Sequence, residues 1–295
     1  MEMSDKLKSK KVALVLSSGA ARGYAHIGAI EEIVSRGYTI TSVAGTSMGA
    51  LIGGMYAAGG LEAVKQWMFQ INRRQVISLT DISIALSGFV KGEKLMERMQ
   101  EIVPDVPIES LDIPFCAVAT NLTNGAEVVF KEGSLYDAIR ASISMPSLFQ
   151  PVEKEDSVLV DGGLVNPLPL NRVCRTGGDI LVAMNVSAFD DPVLLQRKKS
   201  MEESKRQNRL VRRIRPYLSE ADNNVVSLLS RSFSVMIQQN CLLSERLTPP
   251  DVIANMSSNR YGGFDYDKAE VIARHGRALM RRSLDKYERA QKKEQ

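Results

Sequence analysis

The stretch VAGTSMGAL (residues 43–51) joins a charge-free apolar run to a serine that stands between two glycines. Gly45, Ser47 and Gly49 fit the pattern G-x-S-x-G. Such a serine sits on a sharp strand-to-helix turn, where glycine two residues before and two after it removes a steric clash. We therefore expect Ser47 to be a nucleophile, and Met48 to open a helix whose positive end faces it.

The sequence on both sides of this turn predicts alternating strands and helices. Lys11–Leu16 and Thr39–Ala44 are interpreted as strands, and 23–36 and Met48–Ala58 as helices. This order, with short connections, implies a parallel sheet. Although Gly37–Leu61 is charge-free and long enough to cross a bilayer, its Thr-rich start and Gly-Gly end favour a buried strand and helix. Further helices are expected near Glu62–Asn72, Lys91–Ile102 and Ser134–Ser144, and strands at Pro114–Thr120, Ser157–Val160, Ile180–Val186 and Asp251–Asn255.

Apolar residues at helical spacing in Leu210–Leu243 predict one or two long amphipathic helices. We interpret 195–245 as a helical segment added to the main domain. The predicted organisation is a tail over 1–10, one α/β domain over 11–275, and a charged helix or tail over 276–295.

Composition and charge exclude some classes of protein. The 295 residues are 44% hydrophobic and carry a net charge of +4, which gives no reason to expect a nucleic-acid partner. Nine Lys or Arg and two Glu fall in 194–215, a stretch that suits either a solvated helix face or peripheral contact with an anionic membrane. The N-terminus lacks a signal-peptide pattern, and three scattered cysteines are expected to be buried thiols, so we expect a cytoplasmic or membrane-associated protein.

The loop after the first strand, 17–23 (SSGAARG), offers free backbone N–H groups where a helix begins. A dinucleotide-binding turn would require an acidic residue at the end of the second strand, and that strand ends in Val-Ala-Gly-Thr-Ser. An oxyanion hole beside Ser47 is the favoured interpretation. Its expected donors are the N–H groups of Gly19, Ala20, Ala21 and Met48.

Asp161 follows the predicted strand Ser157–Val160 and precedes Gly162 and Gly163, which allow close approach of another backbone or a ligand. A carboxylate in this position is either a partly desolvated base or the first residue of an Asp-Gly turn. The chain has two histidines. His26 falls in the first helix, and His275 would complete a Ser-Asp-His order typical of α/β-hydrolases, although in that fold the serine follows more strands than it does here.

Together these motifs resemble the patatin-like phospholipase family, over roughly residues 11–190, with short bacterial cytoplasmic members the most similar. The segment Arg140-Ala141-Ser142 leading to Pro146 also resembles the family's helix and proline near the acyl pocket. The resemblance implies a three-layer α/β/α sandwich with a mainly parallel central sheet. It also implies a catalytic dyad of Ser47 and Asp161 that uses no histidine, no metal and no cofactor.

One motif departs from the family pattern. The family's loop has the form G-G-G-x-R-G, and Ser18, Gly19, Ala20, Ala21, Arg22 and Gly23 stand in those positions. Alanine resists a positive φ and adds a methyl group, so the oxyanion hole is expected to be weaker or differently shaped. Arg22 is expected to fix the loop by bonding backbone carbonyls, or otherwise to be a surface charge.

The expected function is hydrolysis of phospholipid or lysophospholipid esters. The altered loop keeps open a second hypothesis, a non-catalytic protein of this family that binds lipid or a protein partner. An esterase that uses His275 is the third.

Overall fold

A computed structural model describes residues 10–71, 93–146, 149–154, 156–190 and 225–293. The strands, in chain order, are β1 Lys11–Leu16, β2 Thr39–Thr46, β3 Phe115–Asn121, β4 Glu127–Phe130, β5 Val152–Lys154, β6 Ser157–Asp161, β7 Ile180–Ala188 and β8 Val252–Ser257. The helices are α1 Tyr24–Ser35, α2 Met48–Ala57, α3 Leu61–Gln70, α4 Glu93–Ile102, α5 Leu135–Ser142, α6 Val225–Leu247 and α7 Ala269–Lys293. The predicted β-α-β-α opening is confirmed. The basic stretch 194–215 and residues 1–9 lie outside the described residues.

The strands form one mixed sheet in the order β5-β6-β3-β2-β1-β7-β8. β2 and β6 pair with successive parts of one edge of β3, and β4 pairs with the opposite edge. The centre, β3-β2-β1-β7-β8, is parallel throughout. β4, β5 and β6 are antiparallel to their partners. The prediction of a mainly parallel sheet between helical layers is confirmed.

Alternate residues of β1 face two different cores, as a strand buried on both sides requires. Val12, Leu14 and Leu16 pack with helices α1 to α5 and α7 on one face. Ala13 and Val15 pack on the other face against residues 168–173 and α6. Of the three cysteines, Cys116 and Cys241 are buried as expected. The prediction was wrong for Cys174, which is exposed in the irregular segment before β7.

The last helix packs directly on the first. A Cβ at Gly28 of α1 would lie 1.9 Å from the backbone oxygen of Ala273, and one at Gly276 of α7 would lie 2.1 Å from that of Ala25. The two helices therefore meet backbone to backbone. α7 runs unbroken from Ala269 to Lys293, and Met280 and Leu284 in its second half are buried.

A cluster of ion pairs around the buried Glu32 closes the same contact. Glu32 of α1 accepts hydrogen bonds from Arg36 of its own helix at 2.9 Å, and from Arg281 and Arg277 of α7 at 3.1 and 3.2 Å. Burial would raise the pKa of Glu32, but the three guanidinium groups outweigh it and lower that pKa to about 2. The carboxylate thus stays charged and paired at neutral pH.

Candidate active site

The pairing of β3 brings two strand ends together. β2 pairs with β3 as far as Thr46, which lies opposite Val118. β6 pairs with the next part of the same edge of β3, where Asp161 lies opposite Ala119. Since β2 is parallel to β3 and β6 is antiparallel to it, the carboxyl ends of β2 and β6 point at each other. The residue after β2 is Ser47, and the last residue of β6 is Asp161.

The elbow at Ser47 has the strained geometry that the glycine pattern predicts. Ser47 has φ +58°, an uncommon conformation for a residue with a side chain. A Cβ at Gly45 would lie 2.4 Å from the backbone of Gly49, and a Cβ at Gly49 would lie 2.2 Å from the backbone oxygen of Leu16. The two glycines are therefore required by the close backbone contact, and the turn lifts the Ser47 hydroxyl out of the sheet.

Ser47 and Asp161 are in direct contact. Ser47 Oγ donates a hydrogen bond to Asp161 Oδ2 at 2.5 Å, and Gly163 N donates to Asp161 Oδ1 at 2.7 Å. Burial raises the pKa of Asp161 from its ordinary 3.8 to about 6, even though these two hydrogen bonds act in the opposite direction. A carboxylate with this pKa is ionised at neutral pH and is a stronger base than an exposed aspartate.

Two side-chain hydrogen bonds fix the backbone at these two strand ends. Thr46 Oγ1 donates to the carbonyl of Asn166 at 2.8 Å, and Thr120 Oγ1 donates to the carbonyl of Asp161 at 3.0 Å. A Cβ at position 162 would lie 2.2 Å from the backbone oxygen of Val118, so Gly162 packs directly against β3. The ends of β2 and β6 are thus held by buried contacts with β3 and with the loop after β6.

Ser142, the last residue of α5, holds the nucleophile from the other side. Its hydroxyl accepts a hydrogen bond from Ser47 N at 2.8 Å and donates one to the carbonyl of Val118 at 2.6 Å, and it is fully buried. Ser142 was noted in the sequence only as part of a helix that resembles the family. Its role depends on how α5 packs against β3, which no local pattern indicates.

We expect Ser142→Ala to slow reaction at Ser47 by about ten- to a hundredfold, because small displacements of a reacting group are costly. The change also leaves a buried N–H and a buried carbonyl without their partner. The measurement is the rate of labelling by a fluorophosphonate probe. Ser144→Ala is the matched control, since Ser144 Oγ bonds to Arg140 and not to Ser47. Equal rates in the two variants would contradict the positioning role.

The loop after β1 lies beside the elbow. A Cβ at Gly19 would be 2.2 Å from Val186 Cγ2, and one at Gly23 would be 2.1 Å from Met48 Cγ, so both positions need glycine. Ala20 has φ +48°, the positive value that alanine was expected to resist. Ser18 is fixed through its backbone, since its N–H donates to the carbonyl of Pro167 at 2.8 Å.

One expected oxyanion donor is occupied. Ala21 N donates to the carbonyl of Gly263 at 3.1 Å, because the loop turns into a short 3₁₀ helix that faces residues 258–264. In this conformation the Ala21 N–H is therefore not free to donate to an oxyanion. Gly19, Ala20 and Met48 remain, and Met48 is the first residue of α2, whose first N–H groups receive no acceptor from the helix itself.

Arg22 fixes the loop by bonding backbone carbonyls. Its Nε donates to the carbonyl of Val186 at 3.0 Å, and its Nη1 donates to that of Tyr261 at 3.4 Å. Burial lowers the pKa of Arg22. The guanidinium thus ties the loop after β1 to the end of β7 and to the segment after β8.

Residues 14–173 match the family described as patatin-like phospholipase, which is more than half of the chain and includes both Ser47 and Asp161. The chain belongs to the patatin-like phospholipase family. Among curated relatives, an uncharacterized NTE family protein of Mycobacterium bovis is 43% identical over 182 residues, covering 62% of this chain and 51% of the relative. Lysophospholipase NTE1 of Saccharomyces cerevisiae is 26% identical over 271 residues, covering 90% of this chain and 16% of that protein.

This patatin-like chain therefore spans about half the length of the mycobacterial relative and a smaller share of the yeast one. Among solved structures, VipD from Legionella pneumophila aligns with a TM-score of 0.47 and 15% identity, over 94% of this chain and 67% of that one.

The two histidines are engaged elsewhere. His26 Nε2 is 2.8 Å from the carbonyl of Ser17, and burial lowers its pKa to about 4 despite that bond. His275 lies on α7 with its ring edge-on to Tyr261, and burial, followed by Arg260 and Arg282, lowers its pKa. In the described part of the chain, neither histidine makes a hydrogen bond to Ser47 or Asp161.

Among the described residues, no group of three or more His, Cys, Asp or Glu is arranged to hold a metal ion. The helices within the described ranges include none that is long and apolar enough to cross a membrane.

Proposed function

We propose that this patatin-like protein is a serine acyl-ester hydrolase that acts on phospholipid or lysophospholipid esters through a dyad of Ser47 and Asp161. The observation that carries the proposal is the 2.5 Å hydrogen bond from Ser47 Oγ to a buried carboxylate, at the N-terminus of α2. Membership of the family supports lipid hydrolysis, and the name of the yeast relative, a lysophospholipase, supports the substrate class.

In the first half of the reaction, Ser47 Oγ attacks the carbonyl carbon of the ester while its proton passes to Asp161 Oδ2. The negative charge that develops on the carbonyl oxygen is stabilised by the N–H groups of Met48 and of Gly19 or Ala20. One such donor is worth about 3 kcal/mol in acyl transfer. Asp161 then gives the proton to the departing alcohol, which leaves an acyl group on Ser47.

In the second half, a water molecule takes the place of the alcohol. Asp161 accepts a proton from the water as its oxygen attacks the acyl carbon, and the same oxyanion donors act again. Collapse of this intermediate releases the fatty acid and returns the proton to Ser47. A single carboxylate thus serves as base and acid in both halves, which is why neither histidine is needed.

The test is hydrolysis of a panel of substrates by the full chain. The panel contains lysophosphatidylcholine, phosphatidylcholine and p-nitrophenyl esters of short and long acyl chains, and each is assayed with and without prior fluorophosphonate treatment. We expect fatty-acid release from at least one lipid, lost in step with labelling. An absence of turnover across the panel, with lipid binding retained, would favour the non-catalytic alternative, which the strained Ala20 and the occupied Ala21 amide motivate.

A further inference from the structure

We propose that Ser18 is a positioning residue for the catalytic base, and that its hydroxyl donates a hydrogen bond to Asp161 while Ser47 carries the acyl group. This inference rests on the proposed function and adds to it a residue that acts in the second half of the reaction. Ser18 stands at the first position of the loop pattern, where the family has glycine, so its hydroxyl is a departure of this chain from that pattern.

The backbone of Ser18 is held through both of its polar groups. Its N–H donates to the carbonyl of Pro167 at 2.8 Å. Its carbonyl accepts hydrogen bonds from Ser187 Oγ at 2.8 Å and from Ser17 Oγ at 3.1 Å. Because these contacts fix the main chain, the position of the Ser18 hydroxyl depends on rotation about the Cα–Cβ bond alone.

The Ser18 hydroxyl is buried and has no hydrogen-bond partner within the described part of the chain. The residue is 3% exposed, and its Oγ neither donates to nor accepts from any described group. Leaving a buried hydroxyl without a partner costs folding free energy, so such a group in a native protein calls for an explanation. A role in a later state of the reaction supplies one.

The Ser18 side chain lies beside the carboxylate of Asp161. A Cβ at position 163 would lie 3.0 Å from Asp161 Oδ1, 3.2 Å from Ser18 Oγ and 3.4 Å from Ser18 Cβ, so the two oxygens flank Gly163. Asp161 Oδ1 accepts a hydrogen bond from Gly163 N at 2.7 Å, and a carboxylate oxygen can accept a second one. Rotation of the Ser18 hydroxyl toward Oδ1 therefore gives both groups a further partner.

The need for this donor arises after the first half of the reaction. In the free enzyme, Ser47 Oγ donates to Asp161 Oδ2 at 2.5 Å. In the acyl-enzyme, Ser47 Oγ carries the acyl group in place of its proton, and Asp161 is ionised again because it has given its proton to the alcohol. Since a buried carboxylate that loses a donor is harder to ionise, its pKa rises. A hydrogen bond from Ser18 offsets that loss and keeps Asp161 able to accept a proton from water.

The other titratable side chains described around Asp161 keep one charge state between pH 5 and 8. Burial raises the pKa of Tyr266 to about 12 and lowers that of His26 to about 4. Arg22 stays cationic, as arginine does in proteins. From β3 and from the end of α5, Asp161 is contacted by uncharged groups, namely Thr120 Oγ1 and the carbonyl of Ser144. A change in the pH profile within this range therefore reports on Asp161.

The experiment compares wild type with Ser18→Ala on a p-nitrophenyl ester, where a burst of p-nitrophenol measures acylation and the steady state measures deacylation. The burst rate should stay within about threefold of wild type, because Ser18 does not contact Ser47 in the free enzyme. The midpoint of the rise in kcat with pH should move up by about one pH unit, so that kcat at pH 6 falls by about tenfold and KM falls with it. Well above that midpoint the two enzymes should converge.

Ser18→Gly removes the same hydroxyl, should give the same shift, and takes the place of Ser18→Ala if that variant does not fold. The matched control is Ser187→Ala, which removes a buried hydroxyl that bonds the Ser18 carbonyl and should leave the midpoint of kcat unchanged. Equal thermal midpoints establish that the variants fold. An unchanged kcat profile in the Ser18 variants, a loss that is equal at every pH, or the same shift in Ser187→Ala overturns the role of Ser18 and leaves the proposed function intact. Wild-type protein that hydrolyses no ester overturns the proposed function, and the role of Ser18 with it.

Discussion

Asp161→Asn should lower ester turnover by about a hundred- to ten-thousandfold, which is the contribution of a general base. Asparagine has the same shape, and its carbonyl oxygen can still accept the hydrogen bond from Gly163 N. Its amide group, however, donates to Ser47 Oγ where the carboxylate accepted the proton. Turnover of the best ester from the substrate panel measures the effect.

The stability of this variant separates catalysis from folding. Because burial raises the folded-state pKa of Asp161 from 3.8 to about 6, the native state binds the proton more tightly than the unfolded chain does. Ionisation of Asp161 therefore costs stability as the pH rises between those two values. A neutral asparagine avoids that cost, so the variant should be no less stable than wild type at pH 7. Full turnover in a folded variant would refute the dyad.

The pH profile of wild type gives a second readout of the same residue. The base must be ionised to accept the proton from Ser47, so kcat/KM should rise with pH through about 6 and then level off. The Asp161→Asn enzyme should lack this rise in its residual activity. A wild-type profile that is flat between pH 5 and 7 would show that another group is the base.

Ser47→Ala should remove turnover and covalent labelling by a fluorophosphonate probe, because no other atom at the elbow can form the acyl bond. Alanine meets the same backbone constraint as serine at φ +58°, so the turn itself is retained. The expected loss is the largest of any single change, at least as large as that of Asp161→Asn. Mass spectrometry of the labelled wild-type peptide identifies the modified residue.

The control for labelling is Ser35→Ala. In wild type the Ser35 hydroxyl donates a hydrogen bond to the carbonyl of Glu32, at the far end of α1 from the elbow. It should label at the wild-type rate. Covalent modification that persists in the Ser47→Ala protein, at a stoichiometry near one, would exclude Ser47 as the nucleophile.

Much of the fold follows from local sequence. The apolar runs at Lys11–Leu16 and Thr39–Ala44 were enough to place β1 and β2, since a strand buried on both faces has a strong signal. β4 and β5 were not predicted. β4 has four residues, and β5 (Val152–Lys154) has three, which are mostly polar. They are strands only because β4 pairs with β3 and β5 pairs with β6.

The candidate site was less accessible to sequence reasoning. Ser47 and Asp161 were both named, but their contact depends on β2 and β6 sharing one edge of β3, which is a property of topology. The hydrogen bond from Ala21 to Gly263 joins residues far apart in the chain, so nothing in the loop alone indicates that this amide already has an acceptor. Ser142 was missed as a functional residue for the same reason.

The contact between the first and last helices has a consequence for synthesis on the ribosome. The face of α1 that contains Gly28 and Glu32 is covered by Ala273, Arg277 and Arg281 of α7. At ordinary translation speeds, the nascent chain would wait about 10 to 50 seconds between the emergence of these two helices. The core around α1 is therefore completed only after translation has reached the last helix, and in that interval its uncovered surface is open to chaperones and to aggregation.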